Sequence, residues 1–328
     1  MTRTLVISQG ALGDLTLSFP ALLALAERTG RAPDLVCRPE WAAAPLRLGI
    51  AARVISTEKS IVTGLFADPP TPSSLEFLRD YDGIILFSFS RLLESACAAS
   101  GAKVARIAPR PESGAAVHVA RHLWNGLATA GLLPPAPGKL SDFPALARNK
   151  VEEEARAARP VLLHPGAGSL RKRWFLPGFV EVFKRLRKRG IPARFLAGPA
   201  EEDLAERLAA LGVPPEDIAL SGSADQLMDL LEDSAALVGN DSGVTHLAAF
   251  MGLPAVALFG PSDPARWRPL GPRVAVLRPG GLSCEPCFET FGENCEGAGC
   301  LAGTSVSAAL EALCSLTRWR PWKAARSC

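Results

Sequence analysis

The sequence predicts an α/β architecture in two domains, each built on a doubly wound parallel sheet. Three observations predict it. Short continuous apolar runs, such as Leu5-Val6-Ile7, Gly83–Phe87 and Val161-Leu162-Leu163, suit strands covered on both faces, as parallel strands are. In the second half such runs alternate with helical patterns at the spacing of strand–helix–strand units. The third is length, since 328 residues allow two halves of roughly 150 residues, each able to bury its own core.

In the first half, Leu5–Ile7 is followed by the loop Gln9-Gly10-Ala11-Leu12-Gly13-Asp14 and then a helical pattern that buries Leu22, Leu23, Leu25 and Ala26. Pro20 leaves two starts open for that helix. It begins near Asp14 and carries Pro20 inside, or it begins with Ser18 as cap and Pro20 in the first turn. Residues 134–150, broken by Pro134, Pro135, Pro137, Gly138 and Pro144, read as the inter-domain break, followed by a short charged helix at Lys150–Arg159. The domains are therefore set at 1–150 and 151–328. The second half then gives a strand at Val161–Leu163, a helix at Gly178–Arg189 ended by Gly190, a strand at Ala193–Ala197 and a helix at Glu201–Leu211 stopped by Gly212. A strand at Ile218–Leu220 precedes a helix opened by a Ser223/Gln226 capping box and running to Ser234. The strand Ala236–Val238 enters Gly239-Asn240-Asp241-Ser242-Gly243, a helix follows to Met251, and Ala255–Phe259 is a further strand.

Composition excludes several classes. A net charge of +3 is too small for a nucleic-acid binder but permits a local basic patch. No run approaches the ~18 apolar residues of a spanning helix. Gly10, Gly13 and Asp14 interrupt the apolar N-terminal stretch, so it does not read as a signal peptide, and a cytoplasmic location is expected.

Three segments carry chemistry. Gly13-Asp14, with Pro20 six residues on, follows the first strand, at the carboxyl edge where open α/β sheets bind ligands. Asp14 there is either a cleft carboxylate or a helix cap. Without a third glycine the loop is not a dinucleotide fingerprint, which argues against an oxidoreductase. His164-Pro165-Gly166-Ala167-Gly168-Ser169, leading to Lys172-Arg173-Trp174, sets small residues and a hydroxyl beside basic groups, the makings of a diphosphate cradle or of a solvated basic loop. Asn240-Asp241-Ser242-Gly243, with His246 one turn later, is a strand-to-helix junction whose free amides attract anions. There Asp241 or Ser242 caps the helix, or both reach sugar hydroxyls. The turn Phe259-Gly260-Pro261-Ser262-Asp263-Pro264 lies nearby in sequence.

Taken in this order, these segments resemble the family 9 glycosyltransferases, which include the ADP-heptose:lipopolysaccharide heptosyltransferases. The resemblance runs over roughly residues 1–315. It implies a GT-B fold: two facing Rossmann-like domains, with the acceptor on 1–150, the nucleotide-sugar donor on 151–328 and the active site in the cleft between them. It implies transfer with inversion at the anomeric carbon, with neither metal nor cofactor. Asp14 is then the base that takes the acceptor hydroxyl's proton. Lys172, Gly168 and Ser169 hold the diphosphate. Asp241, Ser242, Gly243 and His246 line the donor, Glu201 reaches the ribose, and 221–224 hold adenine through backbone. Fixed donors would stabilise the leaving diphosphate as an oxocarbenium-like sugar forms. The implied partners are ADP-heptose and a lipid-linked saccharide of the lipopolysaccharide core, with peripheral contact at the inner membrane face. Two other readings remain: a nucleotide-sugar epimerase of related fold and an inactive sugar-nucleotide-binding paralogue. The chain departs from the family pattern at Ser8-Gln9, where members often carry a basic residue.

Cys284, Cys287, Cys295 and Cys300 offer four thiolates to a structural zinc ion, but their spacing is loose for a zinc ribbon; the alternatives are free thiols or a disulfide, which a reducing cytoplasm disfavours. Arg318-Trp319-Arg320-Pro321-Trp322-Lys323 is read as a tail packing back across the two domains, onto the N-terminal one, the alternative being a basic-aromatic membrane contact.

Overall fold

The computed structural model describes residues 3–146, 158–199, 201, 203–280, 285–289, 299–317 and 319. The chain divides into two compact units, Met1–Pro144 and Ala145–Cys328. The charged helix expected at Lys150–Arg159 falls largely outside the described residues.

The first unit holds five parallel strands: β1 (Thr4–Ser8), β2 (Asp34–Cys37), β3 (Arg53–Ser56), β4 (Gly83–Phe87) and β5 (Lys103–Ile107), in the order β3-β2-β1-β4-β5. Leu5 pairs with Ile84 and Ile7 with Leu86, and these four join Val36, Ile55 and Leu93 in one core cluster. Val6 and Ile85, which point to the other face, are equally buried. Burial on both faces is what the unbroken apolar runs require. The first helix, Leu12–Thr29, carries Pro20 inside it. Ser18 is therefore not its cap; its hydroxyl donates to the Leu15 carbonyl at 2.6 Å.

The second unit holds six parallel strands: β6 (Val161–His164), β7 (Ala193–Ala197), β8 (Ile218–Leu220), β9 (Ala236–Asn240), β10 (Ala255–Leu258) and β11 (Val274–Leu277), in the order β11-β10-β9-β6-β7-β8. The helices Leu176–Lys188 and Val306–Leu316 cover a core that contains Leu163, Phe179, Phe183, Phe195, Val238, Leu258 and Leu310. Two helix N-termini are built differently from expectation. The helix expected from Glu201 begins at Leu204, because the Glu201 carboxylate turns back to accept the Gly198 amide at 2.9 Å. At the helix Ala224–Glu232, Ser223 caps Gln226 as expected, but the Gln226 side chain accepts from Gly222 rather than from the cap residue.

In each sheet the winding direction reverses once, between β1 and β4 in the first and between β6 and β9 in the second. The strand ends diverge at such a point and leave a crevice for a ligand. Among the described residues no helix is long and apolar enough to cross a membrane.

Candidate active site

The first unit's reversal point opens into a pocket of about 290 Å³. Ser8, Gln9 and Gly10 line it from the end of β1, Ser88, Phe89 and Ser90 from beyond β4, and Arg110 from beyond β5, with Asp14 and Ser18 contributed by the first helix. Asp14 lies in that helix's first turn, where a negative charge suits the helix dipole. One carboxylate oxygen accepts the Ala11 amide at 3.3 Å; the other meets no donor among the described residues. Asp14 is thus half of a reach-back cap and also a pocket carboxylate, so the two alternatives are not exclusive. Gly10 makes room for it, since a Cβ there would lie 2.7 Å from the Asp14 Cβ. Arg110 is exposed, its guanidinium 5.7 Å from the centroid of the exposed Phe89 ring.

The second unit's reversal point is built differently. Asn240, at the end of β9, is fully buried and ties three segments together. Its side-chain oxygen accepts the Trp174 amide at 2.9 Å, and its amide group donates to the Pro165 carbonyl at 2.7 Å. Trp174 is anchored in turn, edge-on to Phe175 and Phe179, with its indole N–H on the Thr304 carbonyl. These bonds fix where Lys172 can reach.

Lys172 Nζ lies 2.8 Å from Asp241 Oδ2, and His246 Nε2 lies 3.4 Å from Asp241 Oδ1. Asp241 is almost completely buried. Burial works against its charged form, but the hydrogen bond from His246 and the nearby Lys172 ammonium outweigh that and hold the carboxyl well below the usual carboxylate range. Ser242 caps the helix Gly243–Phe250 through the Thr245 amide, so the cap is Ser242 and Asp241 is left for the ion pair. Gly243 opens that helix. His246 Nδ1 is buried without a partner among the described residues.

The loop after β6 completes the cluster. His164 is buried with its Nδ1 3.3 Å from Ser242 Oγ; burial first, and then the charge of Arg173, push its pKa down to about 4. Gly166 carries no side chain because a Cβ there would run into the Glu201 carboxylate and the His164 ring. The amides of exposed Gly168 and of Ser169 meet no acceptor among the described residues. The Ser169 hydroxyl accepts the Arg171 amide at 3.3 Å. At the end of β8, Ser221 is buried, its amide on the Ala197 carbonyl and its hydroxyl on the Ser223 carbonyl.

Lys172, Asp241, Ser242 and His246 are thus brought together, with Gly168 and Ser169 on the adjoining loop and Glu201 against Gly166. Asp14 belongs to the other unit. Sequence reasoning gave no role to Asn240, to His164 or to Arg110. Asn240 and His164 end strands beside the reversal point, and Arg110 follows the strand beyond it, so strand-end position was the available signal. Of the cysteine quartet, Cys284 and Cys295 lie outside the described residues, and Cys287 and Cys300 form no disulfide with a described residue. Of the tail, Trp319 packs against the second unit's core and the other named residues lie outside the described ones.

Two doubly wound parallel sheets, each with functional groups gathered at its reversal point, define a protein of the GT-B fold class. The chain belongs to glycosyltransferase family 9 (heptosyltransferase), whose model matches residues 132–295. Lipopolysaccharide heptosyltransferase 2 of Escherichia coli (strain K12) is 36% identical over 113 residues, 33% of this chain and 32% of that protein. The matches span about a third of the length of the first curated relatives. In structure the chain is similar to E. coli ADP-heptose lps heptosyltransferase II, with a TM-score of 0.74 at 20% identity over 96% of this chain and 98% of that one. It is also similar to E. coli heptosyltransferase WaaC with ADP, with a TM-score of 0.63 at 19% identity over 85% and 94% of the two chains.

Proposed function

We propose that the protein transfers heptose from ADP-heptose, with inversion, onto a saccharide of the lipopolysaccharide core. The observation that carries this reading is the Lys172–Asp241–His246 cluster, beside the free amides of Gly168 and Ser169 and inside the stretch matched by the family. An ordered ammonium and unspent N–H groups suit a leaving diphosphate, which needs its charge met without reorganisation. Solved relatives bound to ADP and to ADP-2-deoxy-2-fluoro heptose support ADP as the nucleotide.

Asp14 is the proposed base. Its open carboxylate oxygen would accept the proton of an acceptor hydroxyl as that oxygen attacks the anomeric carbon and the bond to the diphosphate breaks. Ser8, Gln9, Ser88 and Ser90 would bind the acceptor's hydroxyls. A lipid-linked acceptor and catalysis at the inner face of the cytoplasmic membrane complete the proposal.

The direct experiment supplies ADP-heptose and a heptose-deficient core acceptor, follows ADP release, and assigns the product's anomeric configuration by NMR. An inverted glycoside with stoichiometric ADP is the expected result. A retained configuration, or an altered sugar nucleotide formed without acceptor, would discard the reading in favour of other chemistry, including the epimerase. Turnover only with UDP- or GDP-sugars would keep the transferase and discard ADP-heptose.

A further inference from the structure

The loop that carries Lys172 is held from a side that none of the donor-binding segments includes. The ring of Phe288 faces Lys172, with its centroid 4.0 Å from Nζ. The neighbouring Cys287 thiol receives a hydrogen bond from the Arg171 guanidinium at 3.1 Å. This short stretch, residues 285–289, is itself pinned. The Cys287 and Phe288 amides both donate to the Pro261 carbonyl, at 2.9 and 3.0 Å. The Glu289 carboxylate holds Arg266 Nε at 2.9 Å and the Trp267 indole N–H at 3.1 Å. Pro261 follows β10, which pairs with β9, and Asp241 immediately follows β9. The ring and the carboxylate that meet Lys172 are thus fixed to the same sheet edge.

We infer that Phe288 is a positioning residue for Lys172, holding its ammonium, together with Asp241, ready for the diphosphate of the donor. The inference rests on the reading of this cluster as the donor site. A lysine ammonium has three N–H donors and a flexible four-carbon stem. Asp241 engages one donor. A second carboxylate on the other side would hold the stem still, but it would spend another donor and repel the incoming phosphates. An aromatic face attracts the ammonium through its quadrupole and brings no full negative charge. The lysine is therefore ordered in advance, so less rotamer freedom remains to be lost on binding. Cys287 and Glu289 act at one remove, by fixing the backbone that carries the ring.

Calorimetric titration of the full chain with ADP and with adenosine tests this. Phe288→Leu keeps apolar bulk and removes the ring face; it should weaken ADP binding by roughly fivefold and leave adenosine binding within about twofold, as expected for an effect confined to the phosphates. Phe288→Tyr, which keeps the face, should restore ADP binding. In a Lys172→Met background Phe288→Leu should change nothing further, because the ring acts through the ammonium. Wild-type protein that binds no ADP would overturn the donor-site reading and this inference with it. Wild-type protein that binds ADP while Phe288→Leu binds it equally well, or loses ADP and adenosine alike, would overturn the role of Phe288 and leave the donor site standing.

Discussion

The two reversal points share a topology and differ in how they treat charge. In the first unit the one acidic side chain of the pocket, Asp14, is half-exposed and held by a single long amide contact of 3.3 Å, among serines and Gln9, with the exposed Arg110 also in the lining. In the second unit Asp241 is buried, paired with Lys172 at 2.8 Å and approached by His246, while His164 stands neutral beside Ser242. A carboxylate that must take up a proton has to change charge, which a solvated, lightly held group does at little cost. A site that meets a departing diphosphate benefits from charges that are already fixed. On the proposed function the same sheet architecture would serve both tasks, because function sits in the strand-end residues rather than in the fold.

The largest expected effect breaks the first side of this comparison alone. Asp14→Asn keeps the side-chain shape and an oxygen for the Ala11 amide but cannot accept a proton. Turnover should fall by roughly 10²- to 10⁴-fold, while ADP affinity, which the proposed function assigns to the second unit, should stay within about twofold of wild type. Steady-state kinetics alongside calorimetry separate the two quantities. A loss of less than about tenfold in turnover would mean that the base is another group.

The second side predicts a pH dependence of stability. Burial lowers the pKa of His164 from an ordinary value near ~6.5 to about 4. Between those values the unfolded chain binds the proton and the folded one does not, so stability is full above ~6.5 and is lost as pH falls toward about 4. At pH ~5 the loss is about 2 kcal/mol, from ~1.4 kcal/mol per pKa unit. Urea unfolding at pH ~7.5 and ~5 should show wild type losing that much more than His164→Gln. Equal losses would mean that the folded protein protonates His164 freely, and the neutral half of the cluster would not exist as described.

Much of this was legible in the sequence where residues act through pattern. β1, β4 and β6 announced themselves because strands buried on both faces must be apolar throughout. The edge strands β3 and β5 did not, since β3 offers only Val54-Ile55 after an exposed Arg53, Arg106 interrupts β5, and an edge tolerates charge. At the second site the segment carrying Lys172 and the one carrying Asp241 and His246 each read as candidate chemistry, beside a solvated loop and a helix cap as the alternatives. What sequence could not supply was the partner of each group: that Ser242 takes the capping role and frees Asp241 for Lys172, or that Asn240 pins Trp174 across 66 residues. Phe288 gave no signal, because its role comes from a contact with a loop more than a hundred residues earlier.

The smallest expected effect tests whether the first site really depends on light restraint. Asp241 is placed by an ion pair, whereas Asp14 is placed by the space that Gly10 leaves. Gly10 has no positive φ to preserve, so Gly10→Ala is a purely steric change. The new Cβ would sit 2.7 Å from the Asp14 Cβ, the root of a helical side chain rather than a movable tip, so the carboxylate must shift by some tenths of an ångström. A displaced base would lose alignment with its proton, and a turnover loss of about tenfold is expected, with ADP affinity nearly unchanged and a modestly lowered melting temperature. Kinetics and a melting curve on the same preparation decide it. A full loss of turnover with intact stability would mean that Asp14 needs tight placement after all, and the contrast between an adaptable first site and a rigid second one would fail.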